Sequence, residues 1–390
     1  ALEKRVEQAL VAAKLTPKTF ATLALLRDSR KVYGGNARLV RVEKGEGVVV
    51  LAPVHTPAVR YMNRRYRNVR VTPDPAPRLL MTHPLTGRRI FYDIADMTNT
   101  GLSIVERDDL NTLLPGMVID DARIIFPGEL EIPCPIRVVY ARRCGGRKMR
   151  LGCSITDMSP ADYARLFNLV TRADDPHSVA TSMVSMDALW DFFFRSGFIY
   201  PDKYMCISGY KDEFKRSYET LYHRGRDVFS SLTYQENNTI YGHVSIVRAY
   251  PFTWMVHHLA AVPMKRKRTG LFVLQQILNF LDGFHRMPSV KMRYLIFYYR
   301  PENKFPNFFF GGVHGIIGNA DRCSIDHFAY LTLRIDGKTA GLPGGWELRP
   351  CSALDIAALH DAYRMHSNGI MTEVFCLEQE GDDLWKAYER

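Results

Sequence analysis

Hydrophobic and polar positions change period repeatedly along this chain, and the changes delimit its elements. Ile90–Ile94, Met117–Phe126, Leu130–Arg142 and Lys148–Ile155 alternate or run apolar between Pro, Gly and Asp, which predicts strands. Pro160 to Thr171 places Tyr163, Leu166, Phe167 and Val170 on one helical face. Two further helices are expected at Ser185–Gly197 and Lys211–Arg224. Strands follow at Val228–Gln235 and Thr239–Ala249, then a third ending at Val262. Leu271, Leu274, Ile277, Leu278 and Leu281 recur at helical spacing, and Met292–Tyr299 returns to a strand. Nearer the start, Leu2–Arg30 reads as helical with a break at Pro17, followed by a strand pair at Arg38–Val42 and Gly47–Ala52. Beyond Gly341–Gly345 the pattern is helical again at Ser352–His366.

A chain of 390 residues is long enough for two or three domains, each with its own core. No uninterrupted apolar run reaches about twenty residues, so no membrane span is predicted. The first residues are charged rather than apolar, and Ala1 in place of Met fits a processed or trimmed chain. The seven cysteines are dispersed and none forms a Cys-x-x-Cys pair, which argues against a disulfide framework or a metal site and for a reducing, cytoplasmic setting. The formal net charge of +11 points to anionic partners. Basic residues gather at Arg60–Arg70, Arg142–Arg150 and Lys265–Arg268. No helix-turn-helix, zinc-finger or RNA-binding signature accompanies them, so nucleotide and CoA are expected ahead of nucleic acid.

Two short motifs give the first of these clusters a meaning. The segment Arg64-Arg65-Tyr66-Arg67-Asn68-Val69-Arg70-Val71 is followed by Asp96-Met97-Thr98-Asn99-Thr100-Gly101-Leu102, just after an apolar strand. Together they resemble the Arg-x-x-x-Arg and Asp/Asn-x-Ser-x-x-Gly motifs of PilZ domains, bacterial receptors for cyclic di-GMP. Asp96 and Gly101 match directly, and Thr98 keeps the hydroxyl of the usual Ser. Arg60 and Arg64 have the motif spacing. Alignment on Tyr66 and Val69 instead pairs Arg64 with Asn68, leaving Arg65, Arg67 or Arg70 to substitute. The resemblance implies a small antiparallel β-barrel over 59–172, with Arg60, Arg64, Arg65, Arg67, Asp96, Thr98 and Gly101 around cyclic di-GMP. Arginine suits that ligand because its fork binds phosphate or the guanine O6/N7 edge in bidentate fashion.

The second resemblance covers Val179 to Val313. Two helices, three strands, a basic Gly-containing turn, a helix and a strand follow the element order of the GNAT superfamily of acyl-CoA-dependent N-acyltransferases. The family's Gln/Arg-x-x-Gly-x-Gly/Ala loop falls on Lys267, Gly270 and Phe272, the last a departure from the small residue found there. Unpaired N–H groups and the dipole at a helix start favour a phosphate. Lys267, Arg268 and Gly270 are therefore implied as holders of the acyl-CoA pyrophosphate. His257 and His258, on the strand before the turn, stand where a base would act on the attacking amine; alternation in a strand sends them to opposite faces. Tyr298 and Tyr299 stand where the family places its acid, and His243 and Glu236 are further titratable groups nearby.

The expected fold is α+β and multidomain: an N-terminal helical and β segment at 1–58, the PilZ-like barrel at 59–172, a GNAT-like mixed α/β domain at 173–345, and a C-terminal helical segment at 346–390 that completes it. The expected function is a bacterial regulatory protein whose cyclic di-GMP receptor controls acyl transfer from acyl-CoA or acetyl-CoA to an amine or protein acceptor, through the segment Leu169–Ser185. The alternative is a non-enzymatic cyclic di-GMP effector whose acyltransferase-like fold binds protein. A third reading keeps the enzyme beside a barrel that has lost its ligand.

Overall fold

A computed structural model describes residues 20–27, 30–43 and 48–53 by backbone, and residues 69–107, 113–179, 183–199, 205, 207–264, 269–329, 331, 342, 344–367, 369–377 and 382–389. The first part is a three-stranded antiparallel sheet of β1 (Phe20–Arg27), β2 (Arg30–Glu43) and β3 (Val48–Pro53). The β2–β3 pair matches the expected one, with Arg38 opposite Ala52 and Val42 opposite Val49. The helix expected up to Arg30 is overturned over Phe20–Arg27, which pairs with β2 from Phe20↔Arg38 to Arg27↔Arg30. Its Ala and Leu content favours a helix, but cross-strand pairing overrides so weak a preference.

Next comes a curled, eight-stranded antiparallel sheet. Its strands are β4 (Arg78–Thr82), β5 (Arg89–Thr98), β6 (Gly101–Arg107), β7 (Val118–Ile119), β8 (Arg123–Phe126), β9 (Leu130–Pro133), β10 (Ile136–Arg143) and β11 (Lys148–Ile155). They lie in the order β7-β10-β11-β6-β5-β4-β8-β9. The expected single strands Met117–Phe126 and Leu130–Arg142 are each split, at Asp120-Asp121 and at Cys134-Pro135. Pro135 has no N–H to give a ladder, and adjacent acids favour a turn. The concave face buries Leu79, Met97, Leu102, Ile104, Ile136, Val138 and Leu151.

Helix α1 (Pro160–Asp174) closes this core. Ser159 caps it, its Oγ accepting from the Asp162 N–H at 3.1 Å, and Pro160 fits the first turn because no donor is needed there. The helix continues two residues past the expected domain boundary at 172.

The second unit is a five-stranded sheet in the order β12-β13-β14-β15-β16. Its strands are β12 (Ser178–Val179), β13 (Phe229–Glu236), β14 (Thr239–Tyr250), β15 (Thr253–Ala261) and β16 (Tyr294–Phe297). Neighbours are antiparallel except β15 and β16, which run parallel. Helices α2 (Met186–Arg195) and α3 (Lys211–Arg224) cover one face through Leu189, Trp190, Phe193 and Tyr222. Helix α4 (Thr269–Phe284), the crossover between the parallel strands, covers the other. Its buried stripe is Val273, Leu274, Ile277, Phe280, Leu281 and Phe284, whereas Leu271 and Leu278 from the expected stripe are about half exposed. Helices α5 (Ala353–Ser367), α6 (Met371–Val374) and α7 (Asp382–Glu389) follow. Thr253 Oγ1 donates to the Val374 carbonyl at 2.5 Å and Tyr388 Oη to the Arg248 carbonyl at 2.8 Å, so this segment sits on β14 and β15.

The two units share one core. Tyr163 and Phe167 of α1 meet Phe280 of α4 edge to face, both with centroids 5.1 Å apart, and Phe284 continues the stack to Trp254 at 4.8 Å. Such pairs add about 0.5–1.5 kcal/mol each beyond their buried area. No described helix is long and apolar enough to cross a membrane.

Candidate functional site

The motif Asp96–Gly101 forms the end of β5, a two-residue turn at Asn99-Thr100, and the start of β6, with Thr98 opposite Gly101. Met97 and Leu102 enter the core, so their neighbours Asp96, Thr98, Gly101 and Ser103 are directed to the convex face. Thr98 Oγ1 donates to the Gly101 carbonyl at 3.3 Å and accepts from the Thr100 N–H at 3.2 Å, pinning the turn. A Cβ at Gly101 would stand 2.7 Å from the Cys153 carbonyl oxygen, so only glycine lets β11 approach here.

Asp96 is the electrostatic centre of this face. Its Oδ1 accepts from Arg70 Nη1 at 2.5 Å and from Ser103 Oγ at 2.9 Å, and its Oδ2 lies 3.5 Å from Arg150 Nη1. The carboxylate is 15% exposed, against 50% and 42% for the two arginines, so the guanidinium groups form the outer layer. Arg70 arrives because Val71 bridges Met97, with N–H to carbonyl bonds of 3.0 and 2.9 Å in the two directions. That bridge brings the end of the arginine-rich segment onto β5, 26 residues later in sequence. Arg60, Arg64, Arg65 and Arg67 lie outside the described residues, as do Lys267 and Arg268.

In the second unit the parallel ladder runs only from Thr253↔Tyr294 to Val256↔Phe297. β15 continues to Ala261 while β16 stops, so the strands part where His257 and Tyr298 follow their last rung. On the other edge of β15, His243 pairs with Ala260 and Ser245 with His257, which leaves one extra residue in β15: a β-bulge. His258 sits there at φ 55°.

This bulge corrects the expectation that the two histidines face opposite sides. Their ring centroids are 3.6 Å apart. His257 is exposed, while His258 is buried against Phe193 and Phe198, its Nε2 3.2 Å from Tyr218 Oη and its Nδ1 3.4 Å from Ser245 Oγ. His243, fully buried, lies between Tyr222 Oη at 3.0 Å and Thr233 Oγ1 at 2.8 Å. Burial, with His257 nearby, pushes its pKa down to about 3, so it is neutral. Burial raises Tyr218 to about 12. Tyr298 is exposed against Phe328; burial of its hydroxyl and the neighbouring Tyr250 raise its pKa, so it keeps its proton at neutral pH. Tyr299 packs beside Phe310. Glu236 ends β13.

At the start of α4, a Cβ on Gly270 would meet only Ala261 Cβ, at 3.7 Å, so packing does not demand glycine. Thr269 Oγ1 is buried with no hydrogen-bond partner among the described residues. The Phe272 ring packs on Tyr234, 4.7 Å between centroids. No group of three or more metal-ligating side chains occurs among the described residues.

Sequence reasoning missed Ser103 and Tyr218 as members of these arrangements and had Arg150 only as the end of a basic cluster. Cross-strand register and helix packing bring them in, and neither is written in local sequence.

No family model matches the chain, and no curated protein matches it by sequence. Solved structures similar to parts of it include the PilZ domain of YcgR from Escherichia coli with c-di-GMP, at 16% identity over 29% of this chain and 94% of that one, TM-score 0.25. The MrkH–c-di-GMP complex of K. pneumonia is similar at 16% identity over 40% of this chain and 72% of that one, TM-score 0.26. The acetyltransferase AAC(6')-Iy with a CoA-S-monomethyl-acetylneamine bisubstrate analog is similar at 11% identity over 38% of this chain and 92% of that one, TM-score 0.25.

Proposed function

We propose that this chain is a cyclic di-GMP-responsive regulatory protein of bacterial type, in which the β4–β11 sheet is the PilZ-like receptor and the β12–β16 unit a GNAT-like acyl-CoA-dependent N-acyltransferase under its control. The observation that carries the reading is the meeting of the two motifs: Val71 bridges Met97 and Arg70 pairs with Asp96. The arginine-rich segment, with Arg60, Arg64, Arg65 and Arg67, thereby leads onto the face that holds Asp96, Thr98 and Gly101. Two phosphates and two guanine edges would draw those guanidinium groups through charge-assisted, bidentate bonds. Asp96 keeps Arg70 and Arg150 extended over the sheet rather than dispersed in solvent.

For the acyltransferase, the parting of β15 and β16 supports the reading, because it exposes strand edges where a thioester would lie. Exposed His257 is the base for the incoming ammonium, with His258 holding its ring from behind. Tyr298, which retains its proton, or Tyr299 supplies a proton to the thiolate that leaves from acyl-CoA. Lys267, Arg268 and Gly270 would take the pyrophosphate, and the orphan Thr269 hydroxyl is a further donor for it. The acceptor is an amine of a small molecule or protein.

Calorimetric titration of cyclic di-GMP into wild type, Arg64→Ala and Asp96→Ala tests the receptor role. Saturable binding lost in both variants is expected; a folded wild type that takes no ligand refutes it. Burial of His258 in an aromatic box favours a second reading, a silent acyltransferase-like fold that binds protein. Acetyl-CoA turnover over a panel of amines separates the two.

A further inference from the structure

The convex face of the receptor sheet holds more than the motif residues. Register places Asp96 opposite Ser103, Ser103 opposite Gly152, and Gly152 opposite Tyr140, one row across four strands. A register shift between Val138 and Tyr140 turns the tyrosine onto this row. Its ring lies over Gly152: a Cβ there would collide with Cε1, Cζ and Cδ1 of the ring. The neighbouring rows add Arg137 opposite Ser154 and Arg142 opposite Arg150. Arg137 and Arg142 are exposed. With Arg70 and the Asp96 carboxylate, these arginines share the face with one flat, half-buried ring. The Nε of Arg150 is buried with no acceptor among the described residues.

An aromatic ring laid flat among guanidinium groups is the arrangement that stacks a nucleobase while cations hold its phosphates. An arginine fork beside the stack reads guanine, which offers two acceptors at O6 and N7; adenine offers one acceptor and one donor. We propose that Tyr140 is the stacking platform for one guanine of the cyclic dinucleotide and that Arg150 reads that base, so that this row selects guanine over adenine. The proposal rests on the receptor role given above. Gly152 belongs to the device, because its missing side chain lets the ring lie flat with its outer face toward the ligand.

Tyr140 also shields a strand glycine, a packing role that any apolar side chain of similar size would fill. The test therefore compares Tyr140→Phe and Tyr140→Leu in the full chain, with cyclic di-GMP and cyclic di-AMP titrated into each and into wild type. Tyr140→Phe should bind cyclic di-GMP within about twofold of wild type. Tyr140→Leu should bind about 5- to 100-fold more weakly, the range for loss of one base–aromatic stack. Arg150→Gln should narrow the preference for cyclic di-GMP over cyclic di-AMP by about tenfold or more. If wild type binds and Tyr140→Leu binds equally well, the platform is refuted while the receptor role stands. If wild type takes neither dinucleotide, the receptor role fails and the platform with it. Should Tyr140→Leu not fold by circular dichroism, Tyr140→Trp decides: saturating cyclic di-GMP should quench the introduced indole, and unchanged emission overturns the proposal.

Discussion

Substituting Gly283→Ala tests whether the β5–β6 turn is locked to helix α4. In an ordinary helix interior this change stabilises by about 1 kcal/mol. Here the new methyl would collide with the Tyr163 hydroxyl, and it would stand 2.6 Å from Thr100 Cγ2 and 3.0 Å from Asn99 Nδ2. Tyr163 cannot swing aside: it is fully buried, with Phe167, Phe280 and Phe284 around its ring. Its hydroxyl accepts from Asn99 Nδ2 at 2.6 Å and donates to the Phe280 carbonyl at 2.9 Å. Overpacking costs about 1–3 kcal/mol. Losing the two hydrogen bonds costs about 1 kcal/mol each. Offset by the helix gain, the net loss should be about 2–4 kcal/mol. Denaturant unfolding followed by circular dichroism measures it. The sharper check is the double variant with Tyr163→Phe, which removes the colliding oxygen. It should be less destabilised than the sum of the singles by about 1 kcal/mol or more. Additivity within about 0.5 kcal/mol would show that the hydroxyl is not what Gly283 accommodates.

Other expectations follow from buried groups. His243 has a folded pKa of about 3 against an ordinary 6.5, so its contribution is complete above pH 6.5 and is lost as pH falls from there toward 3. Stability should therefore decline on acidification by about 1.4 kcal/mol per pH unit from this group, and His243→Gln should flatten the slope in denaturant curves taken across pH 4–7. Burial raises the Cys134 and Cys153 thiols to about 12, while Cys144 and Cys351 are exposed. Iodoacetamide at neutral pH should label the exposed pair, and peptide mapping should find the buried pair modified only after denaturation. Tyr218→Phe should leave the fold intact but change the pH profile of any amine acetylation, because its hydroxyl touches His258.

Much of the architecture was legible where patterns were long and clean. Lys148–Ile155 and Lys211–Arg224 run as expected to the residue, since strict alternation and a helical stripe leave few other solutions. The early segment was not legible: Phe20–Arg27 has helix-forming residues but a strand neighbour. The histidine pair was misread because a bulge changes which way successive side chains point, and nothing local to His257-His258 announces one. Asp96, Thr98 and Gly101 stood out because they share a short stretch. Tyr140, Gly152 and Ser103 come from three strands and meet only through register.

The turn that ends in Gly101 has a second attachment besides the Asp96 face of the sheet. Asn99 Nδ2 also reaches the Asn279 carbonyl of α4 at 3.3 Å, alongside the α1–α4 aromatic stack. The two units are therefore not beads on a string. Cutting the chain after Asp174 would leave each piece with a wet aromatic flank, Tyr163 and Phe167 on one and Phe280 and Phe284 on the other. A gene fragment encoding either half should give aggregates, and an exchange of barrels between related chains should succeed only when α1 and α4 travel together.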